Sequence, residues 1–170
     1  MYRKYKLLRM IAYTIEILIL YILQETPSIF GVVTGVKPIL VISAAVTISI
    51  FENQNIGMAF GILSGFLMDV GYSGVIGVNT MIMSVLCYVV GLLAVNYIRT
   101  NIITAFICTT VISVITLTLN YVLIYVLSKY GSNAYAYNYH YLPIMIYSIL
   151  PLPILYFINK SFNIWINERS

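Results

Sequence analysis

Charge is scarce in this chain. Asp, Glu, Lys and Arg together make up 8% of its 170 residues, against about 25% in soluble globular domains. Apolar residues fill 61%, more than a soluble domain of this length could hide. Histidine occurs once, at His140, which excludes an HExxH zinc site, a two-histidine metal centre and a Ser/His/Asp set. His140 itself reads as a plain surface residue. Cys87 and Cys108 are the only cysteines, lie in separate apolar stretches and form no CxxC pair. They read as inert buried thiols. No GxSxG, Walker A or GxGxxG-plus-acid pattern occurs. No enzyme, cofactor or metal is expected.

What the chain has is long apolar runs punctuated by short polar ones. Several runs approach the roughly 20 residues needed to cross a bilayer, so the expectation is an all-α integral membrane protein with six transmembrane helices, one polytopic domain over residues 1–170. The net charge of +4 is not a nucleic-acid signal, because Arg3, Lys4, Lys6 and Arg9 precede the first apolar run, where topology signals belong, and no interleaved basic and aromatic patch occurs. That first run continues past Tyr21 without a cleavage site, so it is an uncleaved helix, about 7–24, and not a signal peptide. Arg9, Tyr13 and Glu16 share a face of it, which turns Glu16 toward protein and away from lipid.

Thr26 to Val36 reads as a loop, and Lys37-Pro38 opens a second helix, about 37–51, with Pro38 in its first turn. Glu52, Asn53, Gln54 and Asn55 form a polar turn before a third helix, about 56–71. A fourth spans about 75–97. The fifth, about 102–127, carries Thr109, Ser113, Thr116 and Asn120 as a polar stripe that should face other helices. Tyr135, Tyr137, Tyr139 and Tyr141 alternate in the next loop, either as an aromatic belt at the headgroups or as a docking edge for a partner protein. A sixth helix, about 142–157, contains Pro151 and Pro153, which should kink it. With the N-terminus inside, Arg3, Lys4, Lys6, Arg9, Arg99, Lys160 and Arg169 are cytoplasmic and only Lys37 and Lys129 lie outside. Both termini are therefore expected in the cytoplasm.

The most organised stretch is Glu52 to Asn79. Gly57, Gly61 and Gly65 recur every fourth residue and Asp69 takes the next place. That spacing keeps all four on one drifting helical face, and glycines there let another helix approach the backbone. The spacing leaves open whether the neighbour is in the same chain or is a partner. Gly71, Gly74 and Gly77 make a turn, and Asn79 opens the next run. Glu16, Glu52 and Asp69 are the acids to weigh. Glu16 and Asp69 fit an intramembrane proton or ion path. Alternatively, Asp69 stabilises the start of the fourth helix through its dipole or accepts bonds from turn amides. Glu52 reads as a solvated turn residue or cap, or else as a functional acid. Nothing in the spacing makes two of the acids converge.

The residues from Lys37-Pro38 through Glu52, Gly57, Gly61, Gly65-Phe66, Asp69 and Gly77-Val78-Asn79 resemble the rod shape-determining protein MreD family. Its pattern is a Pro-led apolar helix, an acid-bearing turn, a glycine-rich helix closing in G-x-x-x-D, and a Leu-Gly-x-Asn-like start to the next helix. Ile39 stands where the family often has an acid, and Ile76 where leucine is commoner. Length, basic N-terminus and span number extend the likeness over essentially the whole chain. The resemblance implies a non-enzymatic scaffold or regulator of peptidoglycan synthesis during cell elongation, in the bacterial cytoplasmic membrane. Its implied partners are an MreC-like bitopic protein and, through it, MreB, RodA and an elongation penicillin-binding protein. The family fold is similar to the substrate-binding subunits of energy-coupling-factor vitamin transporters, which makes such a subunit the alternative function. The AxxxA docking patch of those subunits is missing here, where the first helix has only Ala12.

Overall fold

In a computed structural model, the described residues are 2–26, 39–73, 77–97, 101–122, 144, 148–149 and 151–167. They form six α-helices: α1 (Tyr2–Glu25), α2 (Leu40–Phe51), α3 (Gln54–Met68), α4 (Val78–Asn96), α5 (Ile102–Tyr121) and α6 (Leu152–Asn167). A π-helical turn, Asp69–Ser73, continues α3.

The organising element is the shortest helix. α2, LVISAAVTISIF, is apolar or small on every side, the pattern of a helix buried all round. Every residue from Leu40 to Ile50 is buried, and α1, α3, α4, α5 and α6 all pack against it. Ser43, Ala44, Ala45, Thr47 and Ser49 keep it thin enough for five neighbours. Its hydroxyls need no water: Thr47 Oγ1 donates to the Ser43 and Ala44 carbonyls at 2.8 Å and Ser49 Oγ to Ala45 O at 2.8 Å. Ser43 Oγ donates to the Ser148 carbonyl, and Ser148 Oγ accepts from the Ile39 amide at 2.8 Å. At about 18 Å, twelve residues are too short to cross the hydrocarbon alone. Enclosure by the other helices removes that requirement.

Two apolar clusters flank α2. Ile42, Val46, Met83, Cys87, Ile112, Leu152 and Tyr156 join it to α4, α5 and α6. Tyr13, Ile17, Ala44, Ile48, Phe60 and Leu155 join it to α1, α3 and α6, with the Tyr13 and Phe60 rings edge to face at 5.8 Å. Outside this core the surface is apolar as well. Leu8, Ile11, Ile15, Ile19 and Ile22 are exposed along α1, as are Met58, Ile62, Phe66 and Val70 along α3 and its π turn. Segments Leu7–Glu25, Val78–Asn96 and Ile102–Tyr121 are each long and apolar enough to cross a membrane. An apolar exterior around a core containing polar groups is the membrane pattern.

Some boundaries move. α2 and α4 begin at Leu40 and Val78, a few residues later than expected, and α3 begins slightly earlier, at Gln54. Within the range expected for the sixth helix, Ile144, Ser148 and Ile149 are helical and Pro151 stands in a turn; beyond it α6 runs from Leu152 to Asn167, with the Leu155 amide bonded to Pro151 O at 3.1 Å. Pro151 and Pro153 thus sit at the start of α6, just after the helical Ile149, where a missing N–H removes no bond within α6. Lys37-Pro38, residues 123–127 of the expected fifth helix and the tyrosine loop with His140 lie outside the described residues.

Candidate functional site

Two polar assemblies run through the apolar core. The first is built on the hairpin of α3 and α4, the most extensive helix pairing among the described residues. A Cβ at Gly61 would stand 2.6 Å from Met83 O, and one at Gly65 2.6 Å from both Asn79 O and Thr80 Cα. At Gly57 it would meet Ser49 Oγ at 2.9 Å and Cys87 O at 3.1 Å. The glycine row is therefore covered by α2 and α4 of the same chain. Gly91 reciprocates from α4, where a Cβ would lie 2.8 Å from Gln54 Cα.

Asp69 closes this hairpin. Its Oδ2 accepts from the Gly77 amide at 2.8 Å, the Thr80 amide at 3.1 Å and Thr80 Oγ1 at 2.6 Å, and its Oδ1 from the Asn79 amide at 2.9 Å. Those amides belong to the N-terminus of α4, which otherwise lacks partners for its first N–H groups. The carboxylate caps them from a different helix and meets the positive end of the dipole. Gly77, at φ 106°, supplies the left-handed turn that aims them at Asp69. Asn79 extends the assembly: its side-chain oxygen accepts from Asn120 Nδ2 on α5, which also reaches Thr116 O at 3.0 Å. Thr109, Ser113, Thr116 and Asn120 are all buried, and Thr116 Oγ1 lies 3.7 Å from Met83 Sδ on α4. The polar stripe faces helices.

The second assembly is the seam of α1 with α2 and α6. Arg9 Nη2 donates to Glu52 Oε2 at 2.9 Å and Arg9 Nε approaches Oε1 at 2.6 Å, a two-pronged guanidinium–carboxylate fork. The Glu52 side chain is only 3% exposed. The expectation of a solvated turn is corrected: the acid closing α2 is drawn inward because a fixed cation stands opposite. Tyr13, fully buried, carries its hydroxyl beside the same carboxylate. One turn further on, Glu16 Oε1 accepts from Asn159 Nδ2 on α6 at 3.2 Å, and the same nitrogen lies 3.0 Å from Thr47 Oγ1. Asn163 Nδ2 donates to the Phe51 carbonyl at 3.1 Å. Arg9, Tyr13 and Glu16 do share one inward face.

Glu16 and Glu52 thus join one seam, while Asp69 sits beyond the far end of α3, about 22 Å of helix away. The acids do not form one site. Among the described residues, no group of three or more His, Cys, Asp or Glu side chains could hold a metal ion. Sequence reasoning missed the Arg9–Glu52 pair, although both residues flank apolar runs at the same expected membrane surface. It also missed Asn159 and Thr80, which carry no motif.

The two assemblies bind helix to helix and leave the apolar exterior to lipid, the arrangement of a structural membrane protein. The family model described as rod shape-determining protein MreD matches residues 4–163. No curated protein and no solved structure matches the chain. A match over nearly the whole length, joined to a helical membrane fold whose glycine–acid hairpin is intact, identifies the chain as a member of the MreD family, the non-enzymatic, multi-pass membrane proteins of the bacterial machinery that determines rod shape.

Proposed function

We propose that this protein is a membrane scaffold and regulator of the peptidoglycan synthesis machinery of cell elongation, holding an MreC-like bitopic partner. Through that partner it acts on MreB, RodA and an elongation penicillin-binding protein. The observation that carries the reading is the family match over residues 4–163. In the same reading six spans place both termini in the cytoplasm, in keeping with the location of Arg3, Lys4, Lys6 and Arg9 at one end and Arg169 at the other. The packing supports a holder of proteins in a second way. Asp69 and Glu52 are engaged in joining helices, and the glycine row is covered within the chain. A partner helix would therefore meet an outward face, not the glycines.

The test is depletion of the protein in its own bacterium, combined with detergent co-purification. Rounding of rod cells on depletion, and recovery of an MreC-like protein with the tagged chain, are the expected results. Retained rod shape together with no bitopic partner would overturn the reading. A vitamin or other small molecule carried through purification instead would favour the transport alternative.

A further inference from the structure

The seam between α1 and α6 contains a chemical mismatch. Thr47 Oγ1 directs its one proton to α2 carbonyls, so toward Asn159 it can only accept. That fixes the amide with Nδ2 toward Thr47, and the same nitrogen also reaches Glu16 Oε1. Two acceptors remain on these two planar groups, Glu16 Oε2 and Asn159 Oδ1. Both are buried and neither has a hydrogen-bond partner. Asn159 is fully buried.

Among the described residues no cation pairs with the carboxyl. Arg9, on the same face of α1, is held by Glu52. Tyr13 contributes a phenol, which is neutral at physiological pH. The helical spans of α2 and α3 contain no ionisable side chain other than those at their ends. On α6 the ionisable neighbours are Tyr156 and Lys160, and the exposed Lys160 lies over the Tyr156 ring at 6.0 Å. An ionised carboxylate here would be an unpaired charge among helices in hydrocarbon.

We propose that Glu16 is held as the neutral acid, its Oε2–H donating to Asn159 Oδ1 while the amide N–H donates to Oε1, so that one bound proton clasps α1 to α6. The proton supplies both orphaned acceptors at once, and no other atom need be added. Loss of that proton places two acceptors and a charge in the seam. The clasp is therefore proton-dependent. Stability that depends on the bound proton is lost as rising pH removes it.

Infrared spectroscopy of the full-length protein in lipid nanodiscs tests this directly. A protonated-carboxyl stretch is expected near neutral pH, absent in Glu16→Gln and shifted to higher frequency in Asn159→Leu, which removes the acceptor. In thermal unfolding, the melting temperature of wild type should fall relative to that of Glu16→Gln as pH rises, because the glutamine Nε2–H reaches the same Oδ1 at every pH. If Glu16→Gln does not fold, the wild-type band and its Asn159→Leu shift decide. A wild-type protein with no protonated-carboxyl band, or a band indifferent to both substitutions, would overturn the proposal.

Discussion

Arg9 and Glu52, separated by 43 positions, meet as a two-pronged ion pair with Glu52 almost wholly enclosed. The contact ties the first turns of α1 to the turn joining α2 and α3, and so fixes how deep α1 sits against the central helix. Removing one partner strands the other. Arg9→Met or Glu52→Leu alone should cost about 3–5 kcal/mol. The double variant should recover most of that loss, because two apolar side chains need no counter-charge. Melting temperatures of the four proteins in one detergent give the coupling.

Asp69 should be more sensitive than any other acid. Asp69→Ala removes four hydrogen bonds, and each bond to a charged group contributes about 1.5–3 kcal/mol. Folded yield after purification is expected to collapse. Thr80→Val removes only the hydroxyl bond and should cost about 1.5–3 kcal/mol, leaving a protein stable enough to measure.

The glycine row makes a graded prediction. At Gly61 and Gly65 an alanine Cβ strikes backbone at 2.6 Å, while at Gly57 it first meets the end of the Ser49 side chain at 2.9 Å. Gly61→Ala and Gly65→Ala should each lower stability by about 1–3 kcal/mol, and Gly57→Ala by less, since Ser49 can turn away. Equal effects at all three sites would contradict this packing. Leucine at Gly61 or Gly65 should abolish folding, so loss of a co-purifying partner in those variants would report misfolding.

The Asn79–Asn120 bond joins α4 to α5. Asn120→Leu is expected to cost about 0.6–1.7 kcal/mol, the range for interhelical polar contacts in membrane proteins, with no greater effect when Asn79→Leu is added. A simple sum of the two losses would show that the residues act separately.

Much of the hairpin was legible in the sequence. Every-fourth glycines leave a face open to close approach, and an acid in the same register just before a glycine turn offers a cap to the helix that follows, although the spacing left a proton or ion path open as well. The buried stripe of α5 was equally readable, because hydroxyls and amides on an apolar helix turn away from lipid. Glu52 was not readable. Its neighbours Asn53, Gln54 and Asn55 look solvated, and only the distant Arg9 changes the environment of the carboxyl.

Composition and periodicity by themselves determined that the chain is a helical membrane protein and which faces of its helices are polar. Those properties depend on residue type and on spacing within single helices, where 3.6 residues per turn is enough to argue from. The tertiary structure decided which helices meet. It put the short α2 at the centre, covered the glycines with the chain's own backbone, and brought Arg9 to Glu52 and Asn159 to Glu16. Pairings across 43 and 143 positions are set by the packing of whole helices, and no local pattern encodes them.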